Sequence, residues 1–280
     1  MLVFKTKSEL KEHLQPAISK KNIGFVPTMG ALHQGHISLV KKAKQENEIV
    51  VVSIFVNPTQ FNNASDLTNY PKTIDADLKM LEEANCDVVF IPSVEEIYDE
   101  NVNSENFEFD GLEKEMEGKF RPGHFDGVGT VVKKLFEIVR PTNAYFGEKD
   151  FQQLQIIKKM VVKNNLPVNV IGCSIFRESD GLAMSSRNMR LTQEQREASP
   201  FIHKVLLEAK SLFINEKGNG ICKWVTEQFE NQPELELEYF IIADEENLKE
   251  MKTINENVKY RAFIAVFAGE IRLIDNISLT

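Results

Sequence analysis

His33 and His36 are the residues of this chain best suited to handling a phosphate. They lie in the stretch Pro27-Thr28-Met29-Gly30-Ala31-Leu32-His33-Gln34-Gly35-His36, with a glycine ahead of each histidine. The apolar run Ile23-Gly24-Phe25-Val26 leads in, and a segment of helical period from Ile37 to Glu46 leads out. Strand-to-helix junctions of open α/β sheets are where nucleotide phosphates bind. Gly30 and Gly35 let the backbone approach a ligand, and the helix that follows offers unpaired N–H groups and a positive dipole end. The two imidazoles can donate to phosphate oxygens or act as acids. The plain alternative is one histidine capping the helix and the other on the surface. Zinc is disfavoured because no third ligand lies nearby at a suitable spacing.

Four further groups share this chemistry. Phe146-Gly147-Glu148-Lys149-Asp150, followed by Gln152 and Gln153, ends a strand; Lys149 suits phosphate and Gln153 suits a hydroxyl or carboxylate. Asp180-Gly181-Leu182-Ala183-Met184-Ser185-Ser186-Arg187-Asn188 offers two hydroxyls and a guanidinium in a flexible loop that could close over a triphosphate. Phe55-Val56-Asn57-Pro58-Thr59-Gln60-Phe61 sets two amides, Asn57 and Gln60, beside an apolar wall where a small polar acid could sit. Arg121-Pro122-Gly123-His124-Phe125 reads as a lid bringing Arg121 or His124 to the ligand on closure. Taken singly, Phe146–Asp150 could be a solvated turn and Asp180–Asn188 an ordinary linker. Asp75 and Asp77, in a helix first turn, read as dipole partners before they read as magnesium contacts.

These groups need a scaffold, and the chain supplies one. Ile49 to Val56 is apolar almost throughout, as a parallel strand covered on both faces should be. Further strands are expected at Ile23–Val26, Asp87–Ile91, Ala144–Phe146 and Val168–Ile171. Helices are expected at Ser8–Lys20, Ile37–Glu46, Thr73–Ala84, Val131–Val139 and Phe151–Asn164. This β-α-β-α-β alternation indicates a parallel sheet with right-handed crossovers. Phe107 and Phe109 suggest a short extra strand, and Gly118 to Gly129 a mobile loop. After Cys173 the texture changes: a polar loop from Phe176 to Arg190, one long helix capped by Thr192, a second helix at Ile221–Phe229, a half-exposed strand at Glu234–Ala243, and a hairpin of Arg261–Phe267 and Glu270–Ile274 around Ala268-Gly269. The fold class is therefore α/β: a parallel-sheet domain at 1–175 and a smaller α+β domain at 176–280.

Composition restricts the partners. With 33 Lys and Arg against 42 Asp and Glu, the net charge is −9. That disfavours a nucleic-acid surface and requires any anion site to be local. No apolar run reaches the ~20 residues of a membrane span, and Met1 to Lys11 lacks a signal-peptide core, so the expected location is the cytoplasm. Cys86, Cys173 and Cys222 are too dispersed for a Cys-x-x-Cys site and read as free thiols.

The histidine stretch, Phe55–Phe61, Arg121-Pro122-Gly123-His124-Phe125-Asp126-Gly127-Val128, Phe146–Asp150 and Asp180–Asn188 together resemble, in order, the signature motifs of the pantothenate synthetases (pantoate–β-alanine ligases). The histidine motif alone marks only the wider HxGH nucleotidyltransferase superfamily. The resemblance spans nearly the whole chain and weakens after Arg190. It implies a Rossmann-like domain, a small C-terminal lid domain and a homodimer. It implies the condensation of ATP, pantoate and β-alanine to pantothenate, AMP and pyrophosphate through a pantoyl adenylate, with magnesium. By resemblance, Met29, Gly30, Ala31, Leu32, His33, Gln34, Gly35 and His36 line the ATP site, with Gly147, Glu148, Lys149, Asp150, Phe176, Met184, Ser185, Ser186 and Arg187. His36, His33 and Lys149 are the catalytic candidates; Gln60, Gln153 and Asn57 are the pantoate and β-alanine candidates; no metal ligand is assigned. Phe176 stands where the family often has valine, and Asn62 where glycine is common. Competing readings are a nucleotidyltransferase that stops at adenylate transfer and a nucleotide-binding regulator without catalysis. A tRNA-binding role fits poorly with the acidic balance.

Overall fold

The computed structural model describes residues 1–18, 20–61, 67–68, 70–99, 101–216 and 220–280; Asn62 lies outside them. By contacts the chain divides into two compact units, Met1–Glu148 with Gln152–Ser174, and Lys149–Phe151 with Ile175–Thr280.

The first unit is built on a six-stranded parallel sheet of order β1-β4-β3-β2-β5-β6. Its strands are β1 (Leu2–Phe4), β2 (Ile23–Thr28), β3 (Ile49–Ile54), β4 (Val88–Phe90), β5 (Asn143–Gly147) and β6 (Asn169–Cys173). Val50, Val51 and Val52 are all fully buried. Successive strand residues face opposite sides, so both faces of β3 are covered. The helices are α1 (Lys7–Leu14), α2 (Gln34–Glu46), α3 (Ile74–Glu83), α4 (Val94–Tyr98), α5 (Met116–Phe120), α6 (His124–Val139) and α7 (Phe151–Lys163). α1 stops short of the expected Lys20 because Pro16 has no N–H to continue the ladder.

The stretch from Phe107 to Gly129 departs from expectation. Gly118–Gly129 is not a mobile loop: Gly118 lies in α5, and α6 begins at His124 after Gly123 in the left-handed region (φ +77°). Gly127 and Gly129 serve close packing. A Cβ on Gly127 would lie 2.4 Å from the Thr59 carbonyl oxygen, and one on Gly129 would lie 3.1 Å from the Phe107 ring. Phe107 and Phe109 form no strand; their rings stack at 5.4 Å, with Phe109 fully buried.

The second unit packs α8 (Gln193–Ala198), α9 (Phe201–Glu216) and α10 (Ile221–Phe229) with an antiparallel sheet of β7 (Glu236–Asp244), β8 (Tyr260–Ala268) and β9 (Ile271–Ser278), in the order β7-β8-β9. The long helix expected after Thr192 is two helices. Thr192 and Gln195 form a reciprocal capping box at the start of α8, and Pro200, which has no N–H to donate, interrupts the ladder before α9. Ile202, Leu206, Val225, Ile264 and Val266 are among the residues of this unit's own apolar core. Lys149–Phe151 group with this unit. Phe151 packs against Phe263 at 5.9 Å between centroids and under the Arg261 guanidinium at 4.0 Å. Among the described residues no helix is long and apolar enough to cross a membrane.

Candidate active site

β2 lies between β3 and β5 in the sheet. From β2 the chain proceeds to β3 on one side, and after β4 it crosses to β5 on the other. Open α/β sheets bind ligands at such a switch point, outside the carboxyl ends of the strands. Three of the motif segments leave these adjacent strands: the histidine turn after β2, Phe55–Gln60 after β3, and Gly147-Glu148 at the end of β5.

The histidine turn is held in a specific shape. Gly30 and Ala31 both have positive φ, +81° and +49°. Such a conformation is costly for alanine and persists only where its surroundings enforce it. Asp77 does so: its carboxylate accepts the N–H of Ala31 at 3.0 Å and that of Leu32 at 2.8 Å, and the Thr73 hydroxyl at 3.0 Å. Asp77 is 1 % exposed, and the Thr28 hydroxyl accepts the Gly30 N–H at 3.2 Å. Asp77 is thus a structural acceptor, with both oxygens committed to the turn rather than presented to magnesium. The sequence showed an acid in a helix first turn but not the distant backbone it meets.

The two histidines cap α2 reciprocally. His33 Nδ1 accepts the Gly35 N–H at 3.2 Å, and His36 Nδ1 accepts the His33 N–H at 3.3 Å. The rings lie 4.1 Å apart between centroids. A nitrogen that accepts bears no proton, so each neutral ring carries its hydrogen on Nε2. Both imidazoles therefore act as caps through Nδ1. Gln34 is exposed, and Met29, His33, Gly35 and His36 are half-buried.

Gln60 and Asn57 differ in role. Gln60 Nε2 donates to the Met29 sulfur at 3.0 Å, tying the second motif to the first. Asn57 is 1 % exposed. Its Nδ2 donates to Gln60 Oε1 and to the Gly127 carbonyl, each at 3.1 Å, and its Oδ1 accepts the Tyr98 hydroxyl at 2.6 Å. Asn57, a pantoate and β-alanine candidate, has its amide engaged on both sides, and it orients Gln60. Tyr98, which sequence reasoning missed, completes this support from α4.

Arg121 and His124 also serve Gln60. His124 Nδ1 lies 2.9 Å from the Gln60 carbonyl oxygen, and Arg121 donates to that oxygen at 3.3 Å. His124 is buried at the start of α6. Gln152 is buried too. Its amide donates to the Leu112 and Glu115 carbonyls at 2.8 Å each and accepts the Glu117 N–H, so it fixes the 112–117 segment. Gln153, the next residue, is half-buried in the first turn of α7.

Lys149, Asp150, Phe176 and Met184–Arg187 belong to the second unit. The Lys149 ammonium is 3.8 Å from the Asp150 carboxylate. Phe176 is exposed and opens a short hairpin: its carbonyl accepts the Met184 N–H at 3.0 Å, Arg177 pairs with Ala183, and Gly181 turns with φ +95°. Ser185 then caps a 3₁₀ turn, Ser186–Arg190, on which Arg187 is exposed. The segment read as a flexible polar loop is a hairpin followed by a capped turn.

The described residues contain no group of three or more His, Cys, Asp or Glu able to hold a metal ion. Burial pushes the Cys86 thiol up to about 12 and the Cys173 thiol up to about 11, so neither is a ready nucleophile.

The chain is similar to known proteins over nearly its whole length. The family model described as pantoate-beta-alanine ligase matches residues 2–278. The pantothenate synthetase of Flavobacterium psychrophilum is 56 % identical over 281 residues, covering 100 % of both chains. The crystal structure of pantothenate synthetase from Thermus thermophilus superposes with a TM-score of 0.92 at 39 % identity, covering 100 % of this chain and 99 % of that one. The pantoate-beta-alanine ligase of Francisella tularensis, complexed with beta-gamma ATP and beta-alanine, gives a TM-score of 0.84 at 38 % identity, covering 100 % of this chain and 98 % of that one. The chain belongs to the pantoate–β-alanine ligase family.

Proposed function

We propose that the protein joins pantoate to β-alanine in two steps. A pantoate carboxylate oxygen attacks the α-phosphorus of ATP, and the bond to the leaving pyrophosphate breaks. The β-alanine amine then attacks the acyl carbon of the pantoyl adenylate, loses a proton, and expels AMP. Negative charge grows on the phosphate oxygens in the first step. His33 and His36, each with an Nε2–H donor, and the N-terminus of α2 can stabilise it. His36 is the assigned proton donor. The observation that carries this reading is the reciprocally capped histidine pair in the same turn whose Met29 sulfur accepts from Gln60.

Gln60 and Gln153 orient pantoate, and Gln60 then receives β-alanine; Asn57 holds Gln60. Lys149 and Met184–Arg187 grip the triphosphate, with Gly147, Glu148 and Asp150 beside it and Phe176 at the base. No side-chain nucleophile is needed. Magnesium would enter with the ATP phosphates and offset their charge; among the described residues no group of three or more His, Cys, Asp or Glu could hold it. The reading carries with it a nucleotide- and pantoate-binding domain at 1–175, a lid domain at 176–280, a cytoplasmic location and a homodimer. Sedimentation checks the last.

Labelled pyrophosphate tests the chemistry. With ATP and pantoate but no β-alanine, label should pass into ATP. Folded protein that exchanges no label under these conditions does not form the adenylate.

A further inference from the structure

We infer that Asn276 and Asp275, neighbours on β9, are positioning residues for ATP: they hold Lys149 and the hairpin that leads into Met184–Arg187 in one hydrogen-bonded network. Both side chains are almost fully buried, at 2 % and 4 % exposed. Adjacent residues of a strand face opposite sides, so the pair can serve two partners. Asn276 Nδ2 donates to the Lys149 carbonyl at 2.9 Å, while its Oδ1 accepts from Arg261 at 2.6 Å. Arg261 in turn covers the Phe151 ring and pairs with Glu245 at 2.9 Å. The Asp275 carboxylate takes Arg177 in a two-point pair at 2.6 and 3.0 Å, and Arg177 also donates to the Gly181 carbonyl at 3.0 Å.

A plain core would not need two arginines and two polar partners at this depth, because apolar residues of like volume serve stability as well or better. What the network adds is geometry. It fixes the backbone of Lys149 by its carbonyl and the hairpin by the Arg177 fork. Lys149 and Arg187, the two cations assigned to the triphosphate, thus stand on elements that share one anchor. The inference rests on that assignment of Lys149 and Met184–Arg187.

Asn276→Asp tests it. The carboxylate still accepts from Arg261 but sets an oxygen against the Lys149 carbonyl where a donor stood. The KM for ATP should rise about tenfold while the KM for pantoate stays within about twofold. Two companions separate the outcomes. Lys149→Ala should raise the KM for ATP; if it does not, the triphosphate assignment fails and takes the inference with it. Val266→Ala, in the same unit's core, should lower the melting temperature and leave both KM values unchanged. If Lys149→Ala acts as expected but Asn276→Asp matches the wild type, the positioning role alone is wrong. It is also wrong if Val266→Ala raises the KM for ATP as much as Asn276→Asp does, since general loosening then suffices. Should Asn276→Asp not fold, Asn276→Ala, which removes both bonds without adding charge, is judged by the same readings.

Discussion

His36 has two functions that one substitution can separate. Its Nδ1 accepts the His33 N–H at the third position of α2, which is the place glutamine takes in a capping box. Its Nε2–H is the proposed acid. His36→Gln keeps an acceptor for the cap and removes the imidazole. Its stability should stay within about 1 kcal/mol of wild type, the size of one cap, while pantoate-dependent pyrophosphate exchange falls roughly a hundredfold to ten-thousandfold, the range for a general acid. Thermal melts and exchange rates on one preparation check both halves, and near-normal exchange would remove His36 from the mechanism. Asp77 behaves differently because it never needs to touch the ligand. Asp77→Asn must turn an NH₂ toward the backbone N–H of Ala31 or of Leu32. One buried donor then loses its acceptor, at about 1–3 kcal/mol, and the strained Gly30-Ala31 turn loses its clamp. Stability and exchange should fall together here, in contrast to His36→Gln; a variant with wild-type melting would show that the turn holds its own shape.

At the scale of elements, the 3₁₀ turn Pro58–Gln60 is set by the helix behind it. A Cβ on Gly127 would meet the Thr59 carbonyl carbon at 2.7 Å as well as its oxygen at 2.4 Å, and no rotamer change relieves a backbone contact. Gly127→Ala should therefore cost about 1–3 kcal/mol as overpacking does, displace Gln60 and raise the KM for pantoate. Gly123 is the useful contrast. It has positive φ but nothing within 4 Å of an added Cβ, so Gly123→Ala should cost only ~1–2 kcal/mol of backbone strain and leave that KM unchanged. Steady-state kinetics and melts of the two variants decide. The same glycines show what a sequence can and cannot disclose. The parallel sheet was legible because β2 and β3 are written in local residue type and β-branched runs. Gly127 and Gly129 carry a loop signal in the sequence because their purpose lies in Thr59 and Phe107, which no local pattern reveals. Asn57 announced itself as an amide at a strand end, but Tyr98, which takes up its oxygen, gave no signal. β1 was missed because three residues, two of them exposed, carry no period. Pro200 and Pro16 were visible, yet only the packing decides whether a proline ends, splits or merely starts a helix.

For the molecule as a whole, a net charge of −9 leaves no general attraction for ATP or pantoate, so binding depends on donors fixed in place and on the acidity at which those supports hold. In the second unit one titrating group sits against the ATP-positioning network. A Cβ on Gly181 would lie 2.5 Å from His203 Nδ1, so the ring packs directly on the hairpin. Burial lowers the His203 pKa below its ordinary 6.5, and the nearby Arg177 charge lowers it further, with Asp275 opposing in part. The folded protein thus binds a proton at this site less readily than the unfolded chain. Where the unfolded state holds more protons, stability rises with pH. The His203 contribution is therefore complete above pH 6.5 and is lost as pH falls from there toward the lowered folded value. Trp224, the single tryptophan, packs against this unit's core and reports its unfolding alone. Melts followed by Trp224 fluorescence should decline as pH falls below 6.5, and the decline should be shallower in His203→Gln, which has no proton to take up. Equal slopes in the two proteins would assign the acid sensitivity to other groups. A shallower slope would assign part of the acid sensitivity to His203; because its ring packs on the hairpin leading to Met184–Arg187, the KM for ATP should also rise over the same interval in the wild type and not in the variant, and an unchanged KM would separate stability from ATP binding.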